Sequence, residues 1–423
     1  MKTLRKLKNL LTPVLFRGKH DYFPRTLELH NGGKTQPLFS SEEMNRRLNS
    51  IRSYMEKNGL DACVFTSYYN IYYFSEFLYC SMGRQYALVI TDEKALTITP
   101  SVDYGFPWRR GTCDNISYTN WQKENFYYAM QQQLQSAKTV GVEFPDMGAS
   151  LQSFSEALPH AKFVDVADAA MEIRRVKSPE EVEIVRQGSR IAELGAYAGI
   201  KTLHEGVPEY EVVIASNSAM MREVAVTFPQ IDIRDTWSWL QSGINTDGAH
   251  NFPTSRRVQK GDILSLNCFP MIAGNYAALE RTLFFDHVPS DRHMELWEIN
   301  NKVHRRGLEL VKPGMRCGDV ARELNEIYME HDILQYRVIG YGHSTGVLSH
   351  YYGRDWGLEF LEHVDTVLEP GMIITMEPMI VVPEGKPGAG GYREHDTLII
   401  TETGTENTTA SFPIGPEQMI VKN

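Results

Sequence analysis

The side chains with chemistry to offer gather in the second half of the chain. His250 in NTDGAHN and Glu280 in NYAALERT flank the run KGDILSLNC, so a strand that turns back on itself brings an imidazole and a carboxylate together. Further on stand His343, His350 and Arg354 in GYGHSTGVLSHYYGR, Glu377 in ITMEPMI, and Arg393, Glu394, His395 and Asp396 in GYREHDTLII. Asn267 and Tyr276 lie between the first two. Imidazoles titrate near neutral pH and carboxylates accept hydrogen bonds from cations, so such a set can move protons or hold a cation. Taken one at a time, each residue has a plainer use. A lone histidine is commonly structural, and Glu280 can pair with its neighbour Arg281, which we assign to structure. Trp237 and Trp239, alternating in TWSWLQ, read as one face of a core strand.

The elements that position these residues form an α+β domain from Ser178 onward. Ser178-Pro179-Glu180-Glu181 is a helix start, with Ser as cap, Pro at the first helical position and Glu at the third. Val185, Ile191, Ala192, Ala196 and Gly199 share one face of the helix that follows, and Gly188, Gly195 and Gly199 permit close packing. A second helix starts near Glu209, and others are predicted at about 291 to 311 and 317 to 331. Strands are expected at 262 to 268, 279 to 285, 337 to 340, 372 to 382 and 396 to 401, whereas the GAGG run at 388 to 391 reads as a flexible loop.

Ahead of this lies an α/β domain over 23 to 177. Ser40 can cap a helix with Glu43 reaching back, and strand-like runs such as LDACVFTS, YALVIT and TVGVE alternate with helical stretches. Residues 1 to 22 carry Lys2, Arg5, Lys6 and Lys8 with leucines at helical spacing, and read as a loosely ordered extension; Pro13 interrupts the apolar run and argues against a signal peptide.

With 423 residues, 42% of them apolar and 23% charged, the chain suits a two-domain globular enzyme. A formal charge of -10 argues against nucleic acid as the main partner, since phosphate binding needs clustered basic residues. Five scattered cysteines without paired spacing point away from a disulfide framework or a zinc knuckle and toward a reducing, cytoplasmic setting. No run is long enough to span a bilayer as a helix.

The ordered blocks KSPEE, DGAHN, GHSTG, TMEPM and REHDT resemble the pita-bread superfamily of methionine aminopeptidases, proline dipeptidases and creatinases. The resemblance covers about 178 to 405, and 45 to 170 is similar to the smaller N-terminal domain of its longer members. Its metallopeptidases hold two metal ions with two Asp, one His and two Glu. Those positions fall here on Asn267, Ala278, His343, Glu377 and His395. Three of the four acidic ligands are gone, so a dinuclear metal site is not expected and no cofactor is implied.

Over almost the whole chain the pattern is similar to that of the creatinases, metal-independent homodimers that cleave creatine. That resemblance implies a small-molecule substrate, with His250 as acid/base and Glu280 and Glu377 holding the guanidinium. It makes Tyr276, His343 and His395 pocket residues and Arg354 the partner of the substrate carboxylate. It also brings Arg84 across the dimer interface from the other copy, with Met82 two residues before it where the creatinases carry an aromatic ring. His350 is left without a settled role. A related guanidino acid as substrate, or a non-catalytic peptide-binding module, are the alternatives; a metal-dependent peptidase is the least favoured.

Overall fold

The computed structural model describes residues 23–148, 150–350, 354, 355 and 357–422, which leaves the expected N-terminal extension outside the described residues. By contact density the chain divides between Ala170 and Met171. That point lies within the helix Ala167–Arg175, a few residues ahead of the 177/178 boundary expected from the SPEE cap.

The N-terminal unit is built on one mixed sheet. Its strands are β1 (Thr26–Leu27), β2 (Ala62–Phe65), β3 (Ala87–Ile90), β4 (Ala95–Pro100), β5 (Asp114–Tyr118), β6 (Thr139–Val142) and β7 (Lys162–Asp165), in the spatial order β1-β5-β4-β3-β2-β6-β7. The neighbours β2/β6, β6/β7 and β4/β5 run parallel, as helical connections across an α/β sheet require. Ser40 caps the helix Ser41–Asn58, its hydroxyl accepting from the Glu43 amide. Val64, Val89, Ile98, Val140 and Val142 pack with Phe126, Met130 and Phe154 as the core. After the β2 region the chain enters a short turn in which Arg84 N–H donates to Ser81 O at 2.9 Å, and Met82 is 85% exposed at its tip. Arg84 is exposed beside it.

In the C-terminal unit, the helix Pro179–Thr202 begins with a full capping box between Ser178 and Glu181. Val185, Gly188, Ile191, Ala192, Gly195, Ala196 and Gly199 are all buried along one side, the face expected from their spacing. This face covers a four-stranded sheet, ordered β18-β12-β9-β8, of β8 (Trp237–Ser242), β9 (Ile263–Phe269), β12 (Leu279–Phe285) and β18 (Ile420–Val421). The two tryptophans of β8 meet edge to face, with ring centroids 4.8 Å apart. A small hairpin of β10 (Met271–Ile272) and β11 (Asn275–Tyr276) joins β9 to β12. The remaining strands are β13 (Ile373–Met376), β14 (Met379–Val382), β15 (Gly390–Arg393), β16 (Asp396–Ile400) and β17 (Thr405–Asn407), paired as β13-β16-β17 and β14-β15.

Three expectations change. The run 372 to 382 is two strands, because Pro378 has no amide hydrogen to continue a ladder and the chain turns at Glu377. The stretch 337 to 340 makes no strand; it contributes only an isolated bridge from Arg337 to Ile380. Nor is GAGG a flexible loop: Gly390 and Gly391 are buried in β15, paired with Val382 and Val381. A Cβ on Gly391 would stand 1.9 Å from the carbonyl oxygen of Thr246, so glycine is needed there for close approach of two backbones.

Candidate active site

Two strand pairings place the carboxylate cluster. In the β9–β12 ladder Glu280 lies directly opposite Asn267, so the two side chains share a face. On its other edge, Glu280 N–H donates to His395 O at 3.2 Å and His395 N–H returns to Glu280 O at 3.0 Å. Arg281, fully buried, fastens this junction. Its Nη1 donates to the carbonyls of Glu280 and His395 at 2.9 and 3.0 Å, and its Nη2 donates to Asp396 at 2.6 Å. Arg281 is therefore a structural residue, and the partner of Glu280 is a different arginine.

That partner is Arg393, at the end of β15. Its Nε meets Glu280 Oε2 in direct contact and lies 3.8 Å from Glu377 Oε1. Its Nη2 donates to Asn267 Oδ1 at 2.7 Å, and its Nη1 to the carbonyl of Ala249, next to His250, at 2.9 Å. One guanidinium thus ties the DGAH segment, β9, β12 and β15 together. His250 and Glu280 make no hydrogen bond to each other among the described residues; they are joined through Arg393. The REHD block contained this residue, but a lone arginine at a strand end carries no sequence signal that separates an internal counter-ion from a surface charge. The usable signal was indirect: a buried carboxylate that has lost its metal needs another cation.

The other wall comes from the GHSTG block. His343 N–H donates to Thr375 Oγ1 at 3.0 Å and Thr375 N–H to His343 O at 2.8 Å, which lays the segment against β13. Gly342 permits it, since a Cβ there would be 1.9 Å from Thr375 O. Glu377 N–H donates to Tyr341 O at 2.7 Å, setting its carboxylate beside the His343 ring, with Nε2 to Oε2 at 3.3 Å. The His343 Nδ1–H points at Ser344 O, 2.7 Å away.

His250, His343, Arg354 and Glu377 line one cavity of about 100 Å³ with Ala249, Gly342 and Glu359. This volume suits a small solute. Glu280 and His395 lie deeper, out of the lining and nearly or wholly buried. His395 Nδ1 is 3.6 Å from Glu280 Oε1 and its Nε2 is 4.0 Å from Glu377 Oε2. Tyr276 is also outside the lining: its hydroxyl donates to Asp235 O at 2.9 Å and its ring packs on His350. His350 in turn lies against the rings of Phe269, His343 and His395. Arg354 is followed by Asp355, which the Lys177 ammonium contacts directly and whose amide donates to Ser344 Oγ at 2.7 Å. Arg84 and Met82 belong to the N-terminal unit, on its exposed turn after Ser81.

Electrostatics divide the carboxylates. Burial raises Glu377, but the neighbouring His395, His343 and Arg393 outweigh it and hold the group well below the usual carboxylate range. Burial pushes Glu280 up to about 8 against the pull of Arg393, with Glu377 adding to the rise. A second cation close by would therefore complete the ionisation of Glu280. His250 is lowered, first by partial burial and then by Arg393 and Arg354, so its imidazole is neutral at pH 7. Burial likewise lowers His395, to about 3.

The donor set does not fit two metal ions. Where aspartates would bind, Ala278 offers a methyl group, and the amide oxygen of Asn267 already accepts from Arg393. A fixed guanidinium then stands against both remaining carboxylates, which opposes a second divalent cation.

Residues 183–402 match the model of metallopeptidase family M24, and 47–176 match the creatinase/prolidase N-terminal domain. A creatinase of Bacillus sp. (strain B-0618) is 58% identical over 404 residues, covering 94% of this chain and 98% of that protein. A Xaa-Pro dipeptidase of Pyrococcus furiosus is 26% identical, covering 86% of this chain and 98% of its own. Among solved structures, the prolidase from Pyrococcus horikoshii OT3 superposes with a TM-score of 0.73 at 23% identity, over 90% of this chain and all of that one. An X-Pro aminopeptidase from Thermotoga maritima gives 0.76 at 20% identity, over 89% of this chain and 99% of the other. These likenesses establish the expected architecture, an α/β N-terminal domain followed by a pita-bread domain, and the chain belongs to metallopeptidase family M24 and, within it, to the creatinases.

Proposed function

We propose that the chain hydrolyses creatine to sarcosine and urea without a metal ion. The observation that carries this reading is the charge pattern of one cavity: Glu377, ionised, with Glu280 behind it, and Arg354 in the same lining. Burial pushes Glu280 up to about 8, so near neutral pH it is largely protonated, and a ligand cation settling at Glu377 would complete its ionisation and strengthen the acidic wall that holds it. Arg354 makes no ion pair among the described residues and is available for a carboxylate. A small zwitterion with a guanidinium at one end and a carboxylate at the other matches both. The 58% identical creatinase supports the same substrate.

In this mechanism neutral His250 takes a proton from water as its oxygen attacks the central guanidinium carbon. It returns that proton to the bridging nitrogen. The bridging nitrogen of the tetrahedral adduct thereby becomes an amine leaving group; the C–N bond breaks as a lone pair on the hydroxyl oxygen forms the C=O of urea, and the hydroxyl proton passes through His250 to the departing sarcosine amine. Glu377, in the cavity lining, accepts from the terminal nitrogens, Glu280 adds its charge from behind, and His343 and His395 orient the carboxylates. The test is a side-by-side comparison of kcat/KM for creatine and related guanidino acids. Creatine is expected to give the highest value, with sarcosine and urea formed in equal amounts; a better guanidino acid would replace it as the substrate.

His250 sets the acid limb of the rate profile. A lowered imidazole pKa means that the neutral base is lost only as pH falls below the usual 6.5. A kcat/KM profile should therefore decline with its midpoint under 6.5. A midpoint above that value would exclude His250 as the titrating base.

The exposed turn carrying Met82 and Arg84 supports a homodimer in which Arg84 of one copy meets the substrate carboxylate in the other. Mixing inactive Arg84→Ala protein with inactive His250→Ala protein should then restore activity, because exchange creates one site with both residues intact. No recovery after demonstrated subunit exchange would count against shared sites.

A further inference from the structure

We propose that Glu209 sets the position of His250 by clamping both ends of the segment 242–254 that carries it. Glu209 is the first residue of the helix Glu209–Thr227, which packs along Pro179–Thr202 and β8, and it is 0% exposed. At the near end of the segment its Oε1 accepts from the Ser242 amide at 2.8 Å and from Ser242 Oγ at 2.6 Å. At the far end its Oε2 accepts from the Thr254 amide and from Thr254 Oγ1, both at 2.7 Å. Between them Asn245 Nδ2 donates to both oxygens, at 2.9 and 3.1 Å. Glu209 N–H donates to Arg256 O at 3.0 Å, so the helix start is itself fixed to the chain leaving the segment.

His250 depends on this segment for its place. Its ring has no hydrogen-bond partner among the described residues and meets the ring of Trp239 with centroids 6.0 Å apart. No side chain among them therefore orients it in the way that the aspartate of a catalytic triad orients a histidine. The backbone does so instead. Arg393 Nη1 donates to Ala249 O at 2.9 Å, and Gln241 Nε2 donates to Gly248 O and Asn251 O at 2.9 and 2.8 Å. Those bonds hold carbonyls close to His250, whereas the two ends of the segment converge on Glu209. Joining the ends of a loop restricts the states open to it, so the carbonyl bonds form in one register.

A carboxylate is needed here rather than an amide of the same shape. Each of its oxygens faces amide hydrogens, which only donate. Glu209→Gln sets an NH2 group, also a donor, against one end of the segment and leaves that end without its acceptor. The groups proposed to hold the substrate, Glu377 and Arg354, lie outside 242–254, so the loss falls on proton transfer and not on binding. This kinetic consequence rests on the proposed acid/base role of His250; the clamp itself does not.

The test measures hydrogen–deuterium exchange and creatine kinetics on full-length wild-type, Glu209→Gln, His250→Ala and Glu209→Gln/His250→Ala proteins. Glu209→Gln is expected to lose amide protection over 242–254 and to keep it in β13 and β16. Its kcat should fall about a hundredfold, the scale of a misplacement of roughly 1 Å, with KM within about twofold of the parent. In the His250→Ala background the same substitution should change the residual rate by less than about twofold, because the residue to be positioned is gone. A general loss of folded protein would instead multiply through both backgrounds. If Glu209→Gln does not fold, Thr254→Val, at an exposed position that supplies one hydroxyl donor to Oε2, takes its place with an expected fall in kcat of about tenfold. Unchanged protection over 242–254, unchanged kcat in the folded variant, a loss carried by KM, or a full multiplied loss in the double variant overturns the proposal and leaves the reaction standing. Wild-type protein that releases no urea from creatine overturns the reaction, and exchange over 242–254 then decides the clamp.

Discussion

His250→Ala should lower kcat for urea release by about a thousandfold, within the range of roughly 10²–10⁴ that a positioned acid/base group contributes. Water is a poor nucleophile toward a guanidinium carbon, and the leaving nitrogen departs only when protonated, so removing the one imidazole that serves both steps affects both. His250 is exposed at the cavity wall and carries no structural hydrogen bond among those described, so thermal stability should change little. The variant should also keep its substrate affinity, because the groups proposed to hold the cation and the carboxylate are untouched. A stopped assay with sarcosine detection measures kcat, and calorimetry with creatine measures binding. Full turnover in the variant would remove His250 from the mechanism.

The second large effect concerns Arg393. Arg393→Met leaves Glu280 buried without its counter-ion and frees the amide oxygen of Asn267 and the carbonyl of Ala249. Breaking a buried pair in this way typically costs about 3–5 kcal/mol. Activity should also be lost, since Arg393 sets the position of Glu280 and the backbone that carries His250. The informative comparison is the double variant Arg393→Met/Glu280→Gln. Replacing both charges relieves most of the stability loss, because no unpaired charge remains, but the acidic wall is weakened and activity stays low. Denaturant midpoints and kcat/KM on the three proteins separate the two effects. If Arg393→Met alone were as stable and active as the parent, the internal counter-ion role would be wrong.

Much of the site was readable because its parts are local. GHSTG and TMEPM each place one candidate side chain at the edge or end of a strand, DGAHN places His250 in the turn after the short helix Gly243–Asp247, and His250, His343, Arg354 and Glu377 line a single cavity. The helix Pro179–Thr202 was equally legible, since its cap and its buried face both rest on fixed spacings. What escaped the sequence depends on contacts distant along the chain. Arg393 meets Asn267 across 126 positions, and nothing near either residue announces it. Gly391 looked like part of a loose loop, yet its lack of a side chain serves a close crossing by Thr246, far away in sequence. Strand β5 was missed because DNISY starts with polar residues, and only pairing with β4 and β1 makes it a strand. Tyr276 followed the family pattern as a pocket residue, while its hydroxyl is bonded to Asp235 O.

The absence of two aspartates has a structural counterpart in this chain. Where a metal's charge would hold the carboxylates, Arg393 contacts Glu280, and Glu377 is held well below the usual carboxylate range by His395, His343 and Arg393, the arrangement that the proposed cation site draws on. Metal independence is tested most directly by urea release from creatine with protein dialysed against a strong chelator, its metal content determined on the same sample. Full activity at far less than one metal ion per chain is the predicted result. Activity that disappears on chelation and returns in proportion to added metal would contradict it.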